Sequence, residues 1–494
     1  MPLRVCFIAS EVAPLAKTGG LADVAGALGK YLHAADHDVR VFMPLYRQVD
    51  RRALQLFPVG FLRDIPLQLG AHTLRFSVLT ARLPGSQAMI YLIDAPALFD
   101  RAAIYGNAPD EHLRFLLLTH AALVSCQHMG FSPQILHCND WHTGMGPLLL
   151  RTVYAWDKLF QGTRSLMSIH NIAYQGVFDA GFRADTGLGD AVPLLDAGEL
   201  AAGRINPLRE GIAHADHVST VSPTYAMEIQ TPAYGYGLQD LLARRAGSLT
   251  GILNGVDYEE WDPRQDRFLP LHFNASQLGT KDELKQDFLQ RMNLATGARS
   301  RLPLLGMVSR LASQKGFDLV MSALPDLLRR HEFCCAVLGS GEPRYEQFFR
   351  ELAHLHPTRV HFRAGYSEEH AHWIEAASDM FLMPSQYEPC GLNQMYSLRY
   401  GTVPIVRRTG GLADSVQHFD PLTRRGTGVV FNDYDVGGVT WGVETALSWY
   451  SQKTLWRRLV QNAMAQDYSW QTQVESYVAL YERMLAGLPS VSAG

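Results

Sequence analysis

Thr18-Gly19-Gly20-Leu21-Ala22-Asp23 recurs letter for letter as Thr409-Gly410-Gly411-Leu412-Ala413-Asp414. Each copy shortly follows an apolar run and opens an amphipathic stretch, the order of a strand, a glycine-rich turn and a helix. Outward from the first copy, short apolar runs at 5–9, 39–43, 89–93, 134–137 and 165–169 alternate with longer amphipathic stretches. Outward from the second, the same rhythm occupies 302–308, 334–338, 360–363, 380–383 and 403–406. Strands alternating with helices predict right-handed βαβ units and parallel sheets covered on both faces. The fold class is therefore α/β, with one parallel sheet in each half. The stretch 250–261 (TGILNGVDYEEW) interrupts the rhythm, so a boundary is expected near 245–255, giving domains over 1–247 and 248–470. In open α/β sheets ligands bind outside the carboxyl ends of the strands, where helix N-termini offer N–H groups to anions. Taken singly, either loop reads as an ordinary βα turn. Two identical ones predict a ligand held between two facing sheets.

The 494 residues exceed what one core usually supports. With 47% apolar and 19% charged residues the composition is that of a globular enzyme, and a formal charge of −4 gives no footprint for nucleic acid, although Arg244-Arg245 and Arg407-Arg408 are local phosphate-sized clusters. The apolar run at the N-terminus is too short for a membrane span and has no signal-peptide pattern, so it reads as a first buried strand. The six cysteines show no CxxC spacing and several sit in apolar runs, which points to free thiols in a reducing cytoplasm and to no structural zinc. No motif speaks to oligomeric state.

The chemistry-bearing residues cluster at predicted strand ends. Lys17-Thr18-Gly19-Gly20 is not a P-loop, which places its lysine after the glycines, and no GxGxxG follows the first strand, so a dinucleotide oxidoreductase loses its support. A lysine beside glycines still suits a diphosphate or its sugar. Arg310 and Lys315 stand in Ser309-Arg310-Leu311-Ala312-Ser313-Gln314-Lys315-Gly316, a loop from strand to helix; a planar fork and a mobile point charge together neutralise a leaving group without metal. Glu388 lies at a turn after the 380–383 run, framed by Pro389 and Gly391, where the alternative is a helix-capping role. Asp140-Trp141-His142 and His170-Asn171 follow two further runs; a lone histidine is more often structural, but recurrence at successive strand ends is what a site there requires. Asp433-Tyr434-Asp435 has DxD spacing but sits in a polar loop without neighbouring signals, and His33, His37, His354, His356 and His361 lack HExxH spacing, so neither is read as a metal site.

These residues lie in eight ordered motifs: SEVAPLAKTGGLADV (10–24), NDWHTG (139–144), HNIAYQG (170–176), TVSPTYAMEI (220–229), GILNGVD (251–257), SRLASQKG (309–316), PSQYEPCGLNQ (384–394) and TGGLADSV (409–416). In them the chain resembles the glycogen and starch synthase family over nearly its whole length. The resemblance implies the GT-B fold, two Rossmann-like domains facing across a deep cleft, with a final helix, within 471–494, returning to the first domain. It implies retaining transfer of glucose from ADP-glucose to an α-1,4-glucan such as glycogen, with no cofactor and no metal. Carried over by position, Lys17, Gly19 and Gly20 close over the donor, with Asp23 behind them. Asp140, Trp141 and His170 surround the transferred glucose. Arg310 and Lys315 neutralise the departing nucleoside diphosphate, and Glu388, Cys390, Gly391 and Leu392 orient sugar hydroxyls and phosphate. Asn254, Tyr366, Thr409, Gly410 and Gly411 complete the carried-over set. The wider retaining pattern has a second acidic residue eight positions after the first; Tyr396 stands there, as the glycogen synthase subgroup also lacks it. Bond exchange through an oxocarbenium-like state is expected on the front face, since the resemblance supplies no settled β-face carboxylate. The competing functions are a sugar-nucleotide epimerase of similar fold, which the full motif set disfavours, and a glucan-binding scaffold, which the presence of Lys17, His170, Arg310, Lys315 and Glu388 disfavours.

Overall fold

The structure, a computed structural model, describes residues 2–294 and 301–487. The chain forms two compact units, Met1–Ile252 with Trp470–Gly494, and Leu253–Ser469. The division falls beyond the expected 247/248 because Leu249–Gly251 is a strand paired in parallel with His217–Thr220. The first residues of the 250–261 stretch thus finish the first sheet instead of interrupting it.

Unit 1 carries a ten-stranded sheet. Its strands are β1 (Arg4–Ile8), β2 (Asp38–Pro44), β3 (Phe57–Pro58), β4 (Ile65–Leu69), β5 (His72–Arg82), β6 (Met89–Asp94), β7 (Ile135–Asn139), β8 (Arg164–Ile169), β11 (His217–Thr220) and β12 (Leu249–Gly251), while β9 (Phe178–Asp179) and β10 (Arg204–Ile205) form a separate pair. The order is β12-β11-β8-β7-β1-β2-β6-β5-β3, with β4 also on β5. Strands β12 through β6 are parallel, and their residues are almost continuously buried, as a two-faced sheet demands. The edge differs from the all-parallel expectation: β5 runs antiparallel to β6, and β3 and β4 antiparallel to β5, because turns at 70–71 and 83–88 are too short for a parallel crossover. The final helix, Trp470–Ala486, buries Trp470, Val474, Tyr477, Leu480, Tyr481 and Met484, a stripe at helical spacing. Tyr481 Oη lies 2.8 Å from His137 Nδ1 on β7, which ties this helix to unit 1; residues 488–494 of the expected segment lie outside the described residues.

Unit 2 carries a six-stranded parallel sheet of β13 (Leu304–Val308), β14 (Cys334–Gly339), β15 (Val360–Ala364), β16 (Met380–Met383), β17 (Val403–Arg407) and β18 (Val429–Phe431), in the order β15-β14-β13-β16-β17-β18. Alternate residues of β14 serve two cores: Cys335 and Val337 pack with Phe317, Leu324 and Tyr345, whereas Cys334, Ala336 and Leu338 pack with Phe288, Ile374 and Tyr400. Chain order thus reverses between β13 and β16 in unit 2 and between β1 and β7 in unit 1. Ligands of doubly wound sheets bind at such reversals. No helix among the described residues is long and apolar enough to cross a membrane.

Candidate active site

In unit 1 the reversal point is built from the ends of β1, β7 and β8. Register sets Asn139 opposite Ser168, so Asp140 and His170, one residue past adjacent strands, become neighbours. The Asp140 amide donates to the Ser168 carbonyl (2.9 Å), and Asp140 Oδ1 accepts the His170 N–H (2.7 Å) and the Asn171 N–H (3.4 Å). Asp140 holds φ 52° and ψ −174°, a conformation that residues with a side chain rarely adopt, and such strain concentrates at functional sites. Burial pushes its carboxyl up to about 7 against the opposing pull of the two N–H donors. His170 is buried, with Nε2 2.9 Å from Asn139 Oδ1, and burial pushes its imidazole down to about 3. The half-buried Trp141 opens a short 3₁₀ turn, Trp141–Thr143, with its ring 4.0 Å from that of His142. His142 stacks in turn on Tyr105 at 4.7 Å.

The first TGGLAD copy sits above β1. Helix Gly20–Ala34 starts at Gly20 with Gly19 as its extended N-cap. Two N–H groups just ahead of that helix already have an acceptor within the chain. Glu11, itself buried, takes the Thr18 N–H, the Gly19 N–H (3.3 Å) and the Thr18 hydroxyl (2.7 Å), and also accepts from Tyr105. Lys17 is exposed and its ammonium lies 2.6 Å from Asp23 Oδ1, so the two residues form a pair.

In unit 2 Arg310 and Lys315 follow β13, and Glu388 follows β16. Lys315 Nζ lies 2.6 Å from Glu388 Oε2, which also accepts from Ser385 Oγ at 3.0 Å. Glu388 therefore does not cap the next helix, Asn393–Tyr400, whose N-cap Leu392 makes no side-chain bond. Arg310 is exposed at the same strand end. Two glycines allow these loops to interlock. Gly316 has φ +76°, and a Cβ there would sit 2.1 Å from the Pro384 carbonyl oxygen; Gly410 has φ +43°, and its Cβ would meet the Glu388 carbonyl oxygen at 1.9 Å. Gln314 completes the junction, donating to the Tyr387 carbonyl (3.0 Å) and accepting from the Gln386 amide (2.8 Å).

Around this junction Cys390 is buried against the Asn254 main-chain N–H, with its thiol pushed up by burial, and Asn254 Oδ1 is buried without a hydrogen-bond partner among the described residues. Gln394 holds the Cys390 and Gly391 carbonyls at 3.0 and 3.1 Å, next to Leu392. The second TGGLAD copy differs in backbone from the first: helix Gly410–Ser415 starts one repeat position earlier, with Thr409 as N-cap, and the Gly411 N–H goes to the Glu388 carbonyl. Tyr366, 72% exposed, projects just after β15. Asp435 of the DxD sequence caps helix Val436–Ser451 through the Gly438 N–H. Glu11, Asn139 and Ser385 were not singled out from sequence, although each lies inside a motif that was. A carboxylate a few residues before a glycine loop and an amide next to Asp140 were the available signals.

The starch synthase catalytic domain family matches residues 4–244, and the glycosyl transferases group 1 family matches residues 294–465. The chain is 43% identical over 494 residues to a glycogen synthase of Koribacter versatilis, covering 97% of this chain and 98% of that one. It is 44% identical over 490 residues to a glycogen synthase of Anaeromyxobacter dehalogenans, covering 98% and 100%. Among solved structures, the catalytic domain of starch synthase IV from Arabidopsis thaliana, bound to ADP and acarbose, matches with a TM-score of 0.90 at 33% identity over 98% of this chain and 100% of that chain. A sucrose-phosphate synthase from Thermosynechococcus elongatus, TM-score 0.60 at 16% identity, shares the fold alone.

Proposed function

This chain belongs to the glycogen and starch synthase family of glycosyltransferases, with the GT-B fold, and from that premise we propose that it takes ADP-glucose as donor and elongates an α-1,4-glucan at its non-reducing end with retention. Glycogen synthase activity entails a nucleotide-sugar donor and a glucan acceptor. That the starch synthase IV structure carries ADP supports adenosine as the nucleoside.

The observation that carries the residue roles is the Lys315–Glu388 pair at the chain reversal of unit 2. In the proposed reaction the bond from the anomeric carbon to the diphosphate oxygen breaks as the acceptor hydroxyl bonds to the same face, and the departing oxygen receives the hydroxyl proton. Lys315 shares its ammonium between Glu388 and the charge growing on that oxygen, and Arg310 adds a guanidinium fork; losing one such donor typically costs about 10²–10³ in rate. Glu388, steadied by Ser385, and the Cys390-Gly391-Leu392 segment orient the donor, with Asn254, Tyr366 and Thr409 to Gly411 around it. In unit 1, Asp140, Trp141 and His170 meet the glucosyl group, and Lys17 turns from Asp23 to phosphate. We propose no need for a divalent ion, because side-chain cations neutralise the diphosphate and Asp435 is occupied as a cap. A reducing cytoplasm suits six buried free thiols, with Cys6 and Cys126 sulfurs 3.7 Å apart.

The test is incorporation of labelled glucose into glycogen with ADP-glucose and UDP-glucose side by side. kcat/KM for ADP-glucose is expected to be at least about tenfold higher, roughly 1.4 kcal/mol. A preference for UDP-glucose overturns the donor assignment.

A further inference from the structure

Asn139 bridges the chain reversal of unit 1. Its Nδ2 lies 2.9 Å from the Ile8 carbonyl oxygen at the end of β1, and its Oδ1 lies 2.9 Å from His170 Nε2 at the end of β8. A main-chain carbonyl only accepts, so the amide nitrogen must be the atom that faces Ile8. The amide oxygen therefore faces His170, and since that oxygen also only accepts, Nε2 must carry the ring proton. The imidazole is neutral in its buried setting, which leaves the lone pair on Nδ1. Nδ1 is buried and has no hydrogen-bond partner among the described residues. The ring is held at Nε2 by Asn139, and the main chain that carries it is anchored where the His170 main-chain N–H meets Asp140 at 2.7 Å. A buried polar atom without a partner requires an explanation, and a ligand that supplies the missing donor is one.

We propose that Asn139 is a positioning residue that fixes the tautomer of His170 and thereby makes His170 Nδ1 an obligate acceptor for one hydroxyl of the transferred sugar. The ligand half of this rests on the reading above that His170 meets the glucosyl group. A hydroxyl satisfies Nδ1; a hydrogen, a fluorine or an ether oxygen at the same carbon does not, because none of them donates. The site thus selects a sugar bearing a free hydroxyl there, and the selection is set one residue away from the histidine that makes it.

Two measurements on the full-length protein test the proposal. Nitrogen NMR of protein labelled with ¹⁵N-histidine, with the His170 ring identified by its loss in His170→Gln or His170→Asn, is expected to show a protonated Nε2 and a bare Nδ1 between about pH 8 and about pH 6. A protonated Nδ1, or a ring that takes up a second proton in that interval, overturns the role of Asn139. The second measurement is kcat/KM with ADP-glucose and its 2-, 3-, 4- and 6-deoxy analogues, for wild type and His170→Gln. Glutamine retains an N–H for Asn139 but offers no acceptor at the Nδ1 position. One analogue is expected to lose about tenfold or more in wild type and about threefold or less in His170→Gln. The expected tautomer with no coupled analogue overturns the recognition half, and with it the placement of His170 at the sugar. The opposite tautomer with a coupled analogue leaves that placement standing and removes Asn139. Where His170→Gln does not fold, the wild-type Nδ1 shift replaces it: ADP-glucose and three analogues should move it, the fourth should not, and equal shifts with all five overturn the proposal.

Discussion

Acid should destabilise unit 1 well before it protonates the ordinary carboxylates. Burial pushes the imidazoles of His120 and His217 down to about 4 and that of His170 to about 3, and holds His137 and His142 well below the usual histidine range. A depressed imidazole stabilises the fold above its unfolded pKa, and that contribution is lost as pH falls towards the folded pKa, because the unfolded chain binds the proton that the fold refuses. Taking about 6.5 for the unfolded chain, lowering the pH from 7 to about 5.5 costs on the order of 1 kcal/mol for each such ring, or about 5–6 kcal/mol for these five. Asp140 acts in the opposite sense. Its carboxyl, pushed up to about 7, gains its proton in the fold while the unfolded chain stays ionised to about pH 4, which returns about 1–2 kcal/mol over the same interval. The carboxylates that hydrogen bonds hold low, such as Asp216, lose their contribution only below about pH 4 and do not enter. The net loss is about 4–5 kcal/mol, a large part of a typical total of about 5–15 kcal/mol. The assay is urea unfolding of the full-length chain at pH 7 and about 5.5, followed by hydrogen exchange of peptides from β7, β8 and β11. With a slope of about 2–3 kcal/mol/M, their midpoint should fall by about 1.3–2.5 M. A midpoint that stays in place or rises on acidification would refute the neutral, buried state of these rings.

Glu388→Gln, nearly isosteric, should fold and lose about 10² or more in kcat, with unit 2 destabilised by part of the about 3–5 kcal/mol that breaking a buried pair costs, since Lys315 keeps some solvent; wild-type turnover would return Glu388 to a structural role. Gly410→Ala places a Cβ 1.9 Å from the Glu388 carbonyl oxygen at φ +43°, so kcat/KM for the donor should drop by about tenfold or more with about 1–3 kcal/mol of strain, and unchanged kinetics would contradict the interlocked loops. Turnover in EDTA should stay within about twofold of the untreated rate; complete loss restored by manganese would sink the metal-free mechanism.

How far the sequence carries this protein is seen best at particular residues. The alternation of apolar runs and glycine turns is local information, and it located the central parallel strands of both sheets and the strand-end positions of Asp140, His170, Arg310, Lys315 and Glu388. It could not locate the antiparallel edge β3–β5, whose half-exposed residues give no continuous apolar run, nor assign Leu249–Gly251, whose only distinction is its partner β11. The repeated hexapeptide is the sharpest case. Six identical letters begin a helix at Gly20 in one unit and, one repeat position earlier, at Gly410 in the other, because Glu11 grips the first loop while the Glu388 carbonyl presses on the second. Which atom of Asn139 faces which neighbour, whether Lys17 stands against Asp23, and how far His170 is removed from water depend on residues up to more than a hundred positions away in the chain. The sequence by itself determined which residue types stand at the ends of which strands. Only the tertiary structure decided their partners, tautomers and charge states, because burial and hydrogen bonding are properties of what the folded chain brings near, and no local pattern encodes that.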